Sequence, residues 1–176
     1  RTTGKRLLFL NTHLDNASQQ AADFGAEVII EHLTALQAKY GKDAGVVLTG
    51  DFNETQEGEA YRRIAARLQD CTDPAKKTTT YQEWGYCDTG NEPIDFIFTS
   101  GTGSDYTVLN DLSGGYVSDH YGVYTKHSFV NLENAPDREK SSAFFFIPPL
   151  SIVGPCAAKG QKPPDRWPRT RENRLR

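Results

Sequence analysis

The sequence contains no methionine, only three cysteines and no apolar run near the length of a membrane span. A bilayer-crossing helix needs roughly 20 mostly apolar residues, so no membrane span is expected. No signal-peptide pattern opens the chain, which begins "RTTGKRLLFL", and its true N-terminus is expected elsewhere. Cys71, Cys87 and Cys156 lack the spacing of zinc ligands, and an odd set of thiols cannot all pair within one chain. A Cys71–Cys87 disulfide stays open for a secreted protein, and the compartment stays open with it. Glycosylation triplets at Asn16 and Asn53 do not decide it either. Positive charge is also scarce in most of the chain. Residues 138–176 hold nine Lys/Arg against three Asp/Glu, a net of +6, which leaves 11 against 20, a net of −9, for residues 1–137. An acidic body argues against broad capture of a nucleic-acid backbone but suits a site that gathers carboxylates around a hard cation.

What is present fits one ordinary domain or part of a larger one: 176 residues, 37% hydrophobic and 24% charged, enough for a core. "RLLFLN" (Arg6–Asn11) is a short apolar run that predicts a buried strand. From about Ala17 to Lys39, Gly25, Ile29, Leu33, Leu36 and Tyr40 recur at helical spacing, with Asp15 or Asn16 as cap and Gly41 as terminator. "GVVLTG" (Gly45–Gly50) predicts a second strand, so the order favours two parallel strands joined by a crossover helix. A further helix is expected from Gly58 to Leu68. Short strands follow at Ile94–Phe98, Tyr106–Leu109 and Tyr121–Thr125, with "SGTGSD" read as a hairpin turn between the first two. After about Ser128 periodicity disappears. Residues 129–176 are expected to be a disordered tail with one sticky "FFFIPPL" segment, or non-native sequence such as translated intron.

Residues of chemical interest fall at the ends or inside of these strands: His13, Asp51 and Asn53, Asp95, and Asp119 with His120. Strand ends are where α/β folds commonly present functional groups. Taken singly, each also reads as a turn, cap or satisfied core residue. Asp95 is the least easily dismissed. Alternation in "IDFIF" puts Ile94, Phe96 and Phe98 on one face and Asp95 with Ile97 on the other, and an acid on an apolar strand requires a partner. Asp51 and Asn53 would point the same way if the segment were extended.

"NTHLD", "TGDFN", "IDFIF" and "SDHYGVY", in this order and spacing, resemble the later motifs of the endonuclease/exonuclease/phosphatase superfamily, over about residues 5–127. The resemblance implies an α/β (α+β) fold, the second half of a four-layer sandwich of two packed mixed sheets with outer helices. Residues 1–128 would be the C-terminal portion of that domain. It implies a divalent-metal-dependent phosphodiesterase or phosphatase using Mg2+ or Mn2+. Asp51 would orient or deprotonate the attacking water, and Asn53 would hydrogen-bond the phosphoryl oxygen or a metal-bound group. His120 would touch the phosphate, oriented by Asp95; His13 would be a second phosphate-binding imidazole, and Asp119 the metal carboxylate. Asn11 is expected to be a structural residue.

The superfamily's first half, with its metal-ligating Glu, has no counterpart in this sequence. The chain alone is therefore expected to be inactive and poorly soluble, with sheet edges exposed. The substrate stays open among nucleic acid, lipid and small molecule, and no partner protein is inferable. Lys76-Lys77 is too short for a DNA-binding strip, and Tyr81, Trp84 and Tyr86 line a substrate cleft or pack over the sheet. Two alternatives remain: a non-catalytic remnant or binding module retaining the fold, and a metal-independent Ser or Cys hydrolase, for which the sequence offers no nucleophile elbow.

Overall fold

The two apolar runs at the start of the chain form neighbouring strands, β1 (Leu7–His13) and β2 (Gly45–Asp51), paired in parallel across the helix α1 (Gln19–Tyr40) that joins them. In this computed structural model, residues 6–73, 75, 78–85, 92–111 and 116–128 are described, together with the backbone of 143–144. α1 starts two residues later than its periodicity suggested. Ser18, not Asp15 or Asn16, is the N-cap and accepts from the Ala21 N–H, while Asp15 organises the preceding turn through the N–H groups of Ala17 and Ser18. A serine hydroxyl is the better placed acceptor because it sits three residues before a free first-turn N–H. Gly41 closes the helix with its N–H on the Gln37 carbonyl at 3.0 Å. A second helix, α2 (Glu59–Ala65), packs beside α1, and Arg63 ties the two together through Glu27.

β3 (Gln69–Asp70), a short strand the pattern did not signal, and β4 (Asp95–Thr99) complete a mixed sheet ordered β1-β2-β4-β3. β4 runs antiparallel to β2, and alternation works along it as expected. Phe96 and Phe98 join Leu8, Val46, Leu48 and Phe52 beneath Ala22, Ala26 and Leu33 of α1 and Ala60 and Ile64 of α2. Ile97 faces the other way, into a second cluster with Val47, Cys71, Tyr106 and Val123. Each fully buried aromatic or aliphatic side chain contributes about 1.5–3 kcal/mol. Phe52, Phe96, Phe98 and Tyr61 form one ring cluster, with centroids 4.8–5.9 Å apart.

The second sheet is β5 (Thr102–Leu109), β6 (Gly122–Ser128) and β7 (Ala143–Phe144), all antiparallel. The expected hairpin is therefore corrected: β4 and β5 do not pair but lie in different sheets. The turn at Ser100–Gly101 carries the chain across, and "GSD" falls inside β5, where Asp105, at φ 57°, forms an irregularity between Ser104 and Thr107. The described residues thus form three layers, helices on one sheet and that sheet on a second. β1 lies at the edge, with Leu7 and Phe9 exposed on the face toward the second sheet. No described helix is long and apolar enough to cross a membrane. Cys71 is a buried free thiol. Expectations about Lys76-Lys77, Tyr86, Cys87, Cys156 and the 129–176 tail fall outside the described residues, apart from the short β7 pairing with β6.

Candidate active site

Strand register builds the site. His13 pairs with Asp51 at the end of the parallel β1–β2 ladder, and Asp51 pairs with Asp95 at the start of the antiparallel β2–β4 ladder. Paired residues on neighbouring strands project to the same face, so one row carries an imidazole and two carboxylates. Asp95 shares its face with Ile97, which places the row on the side of the second sheet. The turn leading into that sheet supplies the fourth group, His120, two residues before β6. His120 Nδ1 lies 2.8 Å from Asp95 Oδ2 and Nε2 lies 3.6 Å from Asp51 Oδ2, while His13 Nε2 approaches the same Asp51 oxygen at 3.4 Å. Four residues from four separate stretches of sequence meet around one carboxylate.

Gly50 explains how β1 and β2 come close enough. Its φ is +156°, and a Cβ there would stand 2.1 Å from the Thr12 carbonyl oxygen. Only glycine permits that approach, directly beside the His13–Asp51 pair.

Burial sets the electrostatics. The Asp51 side chain is 12% exposed, and its carboxyl is pushed up to about 6 by burial and by the neighbouring Asp95 charge. His120, His13 and the Asn53 N–H pull in the opposite direction without cancelling the rise. For His120, burial lowers the pKa, but the Asp95 hydrogen bond and the charges of Asp95, Asp51 and Asp119 outweigh it and leave the imidazole above its usual value. The ion pair with Asp95 fixes the proton on Nδ1 and leaves Nε2 toward Asp51. A carboxyl held near neutrality beside a raised imidazole is a pair able to exchange protons with a substrate or water at physiological pH.

Asp51, Asp95 and His120 each offer a ligand atom, and these atoms all lie within 4.8 Å of one another. Two carboxylates crowded in a poorly solvated place, one of them raised by the other, suit a divalent cation that would neutralise them. Asp119 lies outside this triplet. It is 2% exposed beside His120, with Ser118 Oγ 3.3 Å from its Oδ1.

Asn53 is placed differently from the extended display that alternation suggested. β2 ends at Asp51, and Asn53 turns into the left-handed region at φ 52°. Its N–H donates to Asp51 Oδ1 at 2.8 Å and its side-chain amide to the Leu14 carbonyl at 2.8 Å. The carboxylate captures the N–H two residues on, as Asp does in a turn, and Asn tolerates that backbone better than most residues. Asn53 thereby fastens the loop after His13 to the end of β2. Asn11 is structural as expected, accepting from the Thr49 hydroxyl at 2.8 Å.

The loop expected to line the cleft or pack over the sheet forms, over residues 80–85, a strap whose contacts the pattern did not foresee. Tyr81 bridges His120, with ring centroids 4.9 Å apart, and the N–H groups of Gln82 and Glu83 both donate to the Asp119 carbonyl. Gln82 also donates from Nε2 to the Ser118 carbonyl at 2.6 Å. Glu83 and Trp84 hold positive φ at 45° and 58°. The aromatic composition of this loop was the available signal, and Tyr81 is the residue it brings to the site.

Helices on a mixed sheet, that sheet on a second antiparallel one, and an Asp–His–Asp cluster at the strand ends define a layered α/β fold. A profile of the Endonuclease/Exonuclease/phosphatase family matches residues 20–120, more than half of the chain, and the chain belongs to that family. It is 34% identical over 70 residues to the CCR4-Not complex 3'-5'-exoribonuclease subunit Ccr4 of Debaryomyces hansenii, a match covering 34% of this chain and 8% of that protein. Among solved structures, it resembles an endonuclease/exonuclease/phosphatase family protein from Bacteroides thetaiotaomicron at 26% identity and TM-score 0.59, covering 70% of this chain and 50% of that one. A mannosyl-6-phosphatase of the same organism shares the fold at 24% identity and TM-score 0.56, over 72% of this chain and 52% of its own. The chain spans about half the length of these solved structures.

Proposed function

We propose that this chain is the C-terminal half of a four-layer phosphoester hydrolase that depends on Mg2+ or Mn2+, and that it is inactive alone. The observation that carries the reading is the row His13–Asp51–Asp95 with His120 closing over it. Asp51 accepts a proton from the attacking water or orients it, a role suited to a carboxyl held near 6. His120, cationic and held by Asp95, binds the phosphoryl oxygens from one side, and His13, half-exposed at the edge strand, binds them from the other. Asn53 keeps Asp51 and the His13 loop in register and offers a remaining amide N–H to the phosphoryl group. A divalent cation held by Asp119, beside the cluster in which ligand atoms of Asp51, Asp95 and His120 lie within 4.8 Å of one another, would supply charge neutralisation at the phosphoryl oxygens.

Half-length coverage of the solved relatives and the exposed Leu7 and Phe9 support an incomplete domain. The substrate is a phosphoester of nucleic acid, lipid or small-molecule type. The test is bis-p-nitrophenyl phosphate hydrolysis by the parent gene product, expressed with its upstream region, with and without EDTA and beside Asp51→Asn. Metal-dependent turnover lost in the variant is expected. Turnover insensitive to both EDTA and the substitution would overturn the assignment, and soluble active residues 1–130 would overturn the claim that this half is inactive alone.

A further inference from the structure

Thr80 is fully buried, in a "TTTY" run that shows no helical or strand period. Its Oγ1 accepts from two consecutive N–H groups, those of Ile94 and Asp95, at 3.0 Å each. Successive N–H groups of an extended strand point in opposite directions, so one oxygen receiving both marks the point where the chain bends into β4. The bend is the backbone of Asp95 itself. The Thr80 carbonyl works in the other direction, accepting from the Tyr121 N–H at 2.7 Å, next to His120. Thr80 therefore has one hydrogen-bonding group on Asp95 and the other on Tyr121, the residue after His120, although Asp95 and His120 lie 25 positions apart.

Its neighbours reinforce the same junction. Tyr81 bridges His120 through the backbone and lays its ring against the imidazole, and Gln82 clamps the 118–119 turn through its own N–H and its side-chain amide. The Ile94 carbonyl accepts from the Phe52 N–H at 2.8 Å, which links the bend to the residue after Asp51. Removing the Thr80 hydroxyl would orphan two buried donors at the one place where Asp95 must be fixed to meet His120 Nδ1.

We propose that Thr80 is a positioning residue, tying the start of β4 to the turn before β6 so that the Asp95 carboxylate keeps the His120 Nδ1–H, in the neutral ring as in the cation, and turns Nε2 toward a phosphate. The inference deepens the hydrolase reading and rests on it only for the word phosphate; the geometry of the pair is independent of turnover. Thr80 acts through the backbone of Asp95 and Tyr121.

The experiment is NMR on the parent gene product, expressed with its upstream region and labelled with 15N and 13C, comparing Thr80→Val, which keeps shape and loses the acceptor, with Thr80→Ser, which keeps the hydroxyl. The wild type and Thr80→Ser should show His120 in the Nδ1–H tautomer, with the amides of Ile94 and Asp95 protected from exchange. Thr80→Val should lose the tautomer preference and drop amide protection on the order of tenfold. A folded Thr80→Val that keeps both signatures overturns the proposal. Should the valine variant not fold, the wild type still decides: Ile94 and Asp95 amides that exchange as freely as exposed ones overturn it, as does a Thr80→Ser chain that loses the tautomer. Both readings are separable, since a parent enzyme without turnover but with the Nδ1–H signature removes the hydrolase assignment and leaves the Thr80 junction standing.

Discussion

Replacing Asp51 with asparagine should stabilise the metal-free protein while removing the group assigned to the water. Ionised Asp51 is held at about 6 against an ordinary 3.8, chiefly by burial and then by Asp95. A carboxyl raised in the folded state weakens stability above its folded pKa, and the penalty fades as pH falls below its unfolded value. The shift corresponds to about 3 kcal/mol at pH 8, about 1.5 kcal/mol at pH 5 and about 0.5 kcal/mol at pH 4. The asparagine would keep an oxygen for the Asn53 N–H but would present an amide to His13 and His120, which offsets about 1 kcal/mol of the gain. Urea titrations of wild type and Asp51→Asn in EDTA should therefore differ by about 1–3 kcal/mol at pH 8, in favour of the variant, and converge toward pH 4. Mg2+ should close part of the gap by stabilising only the wild type, about 1.4 kcal/mol at ten times its Kd. A variant less stable than wild type at pH 8, or a difference flat from pH 4 to 8, would show that burial and Asp95 do not strain this carboxylate.

Other expectations follow from single contacts. Gly50→Ala drives a Cβ into the Thr12 carbonyl and should cost about 2–4 kcal/mol in urea unfolding; a variant as stable as wild type would contradict the close approach of β1 and β2. Gly58→Ala would displace the Glu54 carboxylate that receives the Tyr61 N–H at the start of α2, costing about 1 kcal/mol, and the cost should vanish in a Glu54→Ala background. His127 is buried, and burial lowers its imidazole to about 4. A neutral buried histidine supplies stability that is complete above about pH 6.5 and lost as pH falls toward 4, so the acid limb should flatten by about 3 kcal/mol in His127→Leu; an unchanged limb would refute the assignment.

Much of the site was legible because its groups sit at strand ends, where an apolar run stops and a polar residue begins. His13 and Asp51 were found that way and Asp95 by alternation inside its strand, and the ladders bring the three into one row. His120 came from a motif that adjoins a strand, and its link to Asp95 came from the family resemblance, which gave the acid inside an apolar strand the partner it needs. Asn53 was found but misplaced, because alternation assumes an extended backbone and the Asp51 carboxylate bends the chain into a turn. The crossing from β4 to β5 was read as a hairpin because Gly-Thr-Gly-Ser is turn-like; which sheet a strand joins depends on the faces it buries, here Tyr106 against Val47, Ile97 and Val123.

Thr80 left no mark in the pattern, and the reason is physical. Periodicity reports which side of an element meets the core, whereas a buried hydroxyl receiving two N–H groups at the start of β4 acts through a contact set by the whole fold. The same distinction explains why the site belongs to neither sheet alone. The first sheet fixes His13, Asp51 and Asp95 relative to one another through backbone ladders, to within the tolerance of strand register. The turn leading into the second sheet brings His120, and nothing in that sheet's own ladder sets the distance to Asp95. Strap residues 80–83 supply that constraint, binding the start of β4 on one side and the 118–121 turn on the other. A proton-transfer pair shared between sheets needs such a tie, because inter-sheet packing of apolar side chains is non-directional and leaves a 2.8 Å hydrogen bond unspecified.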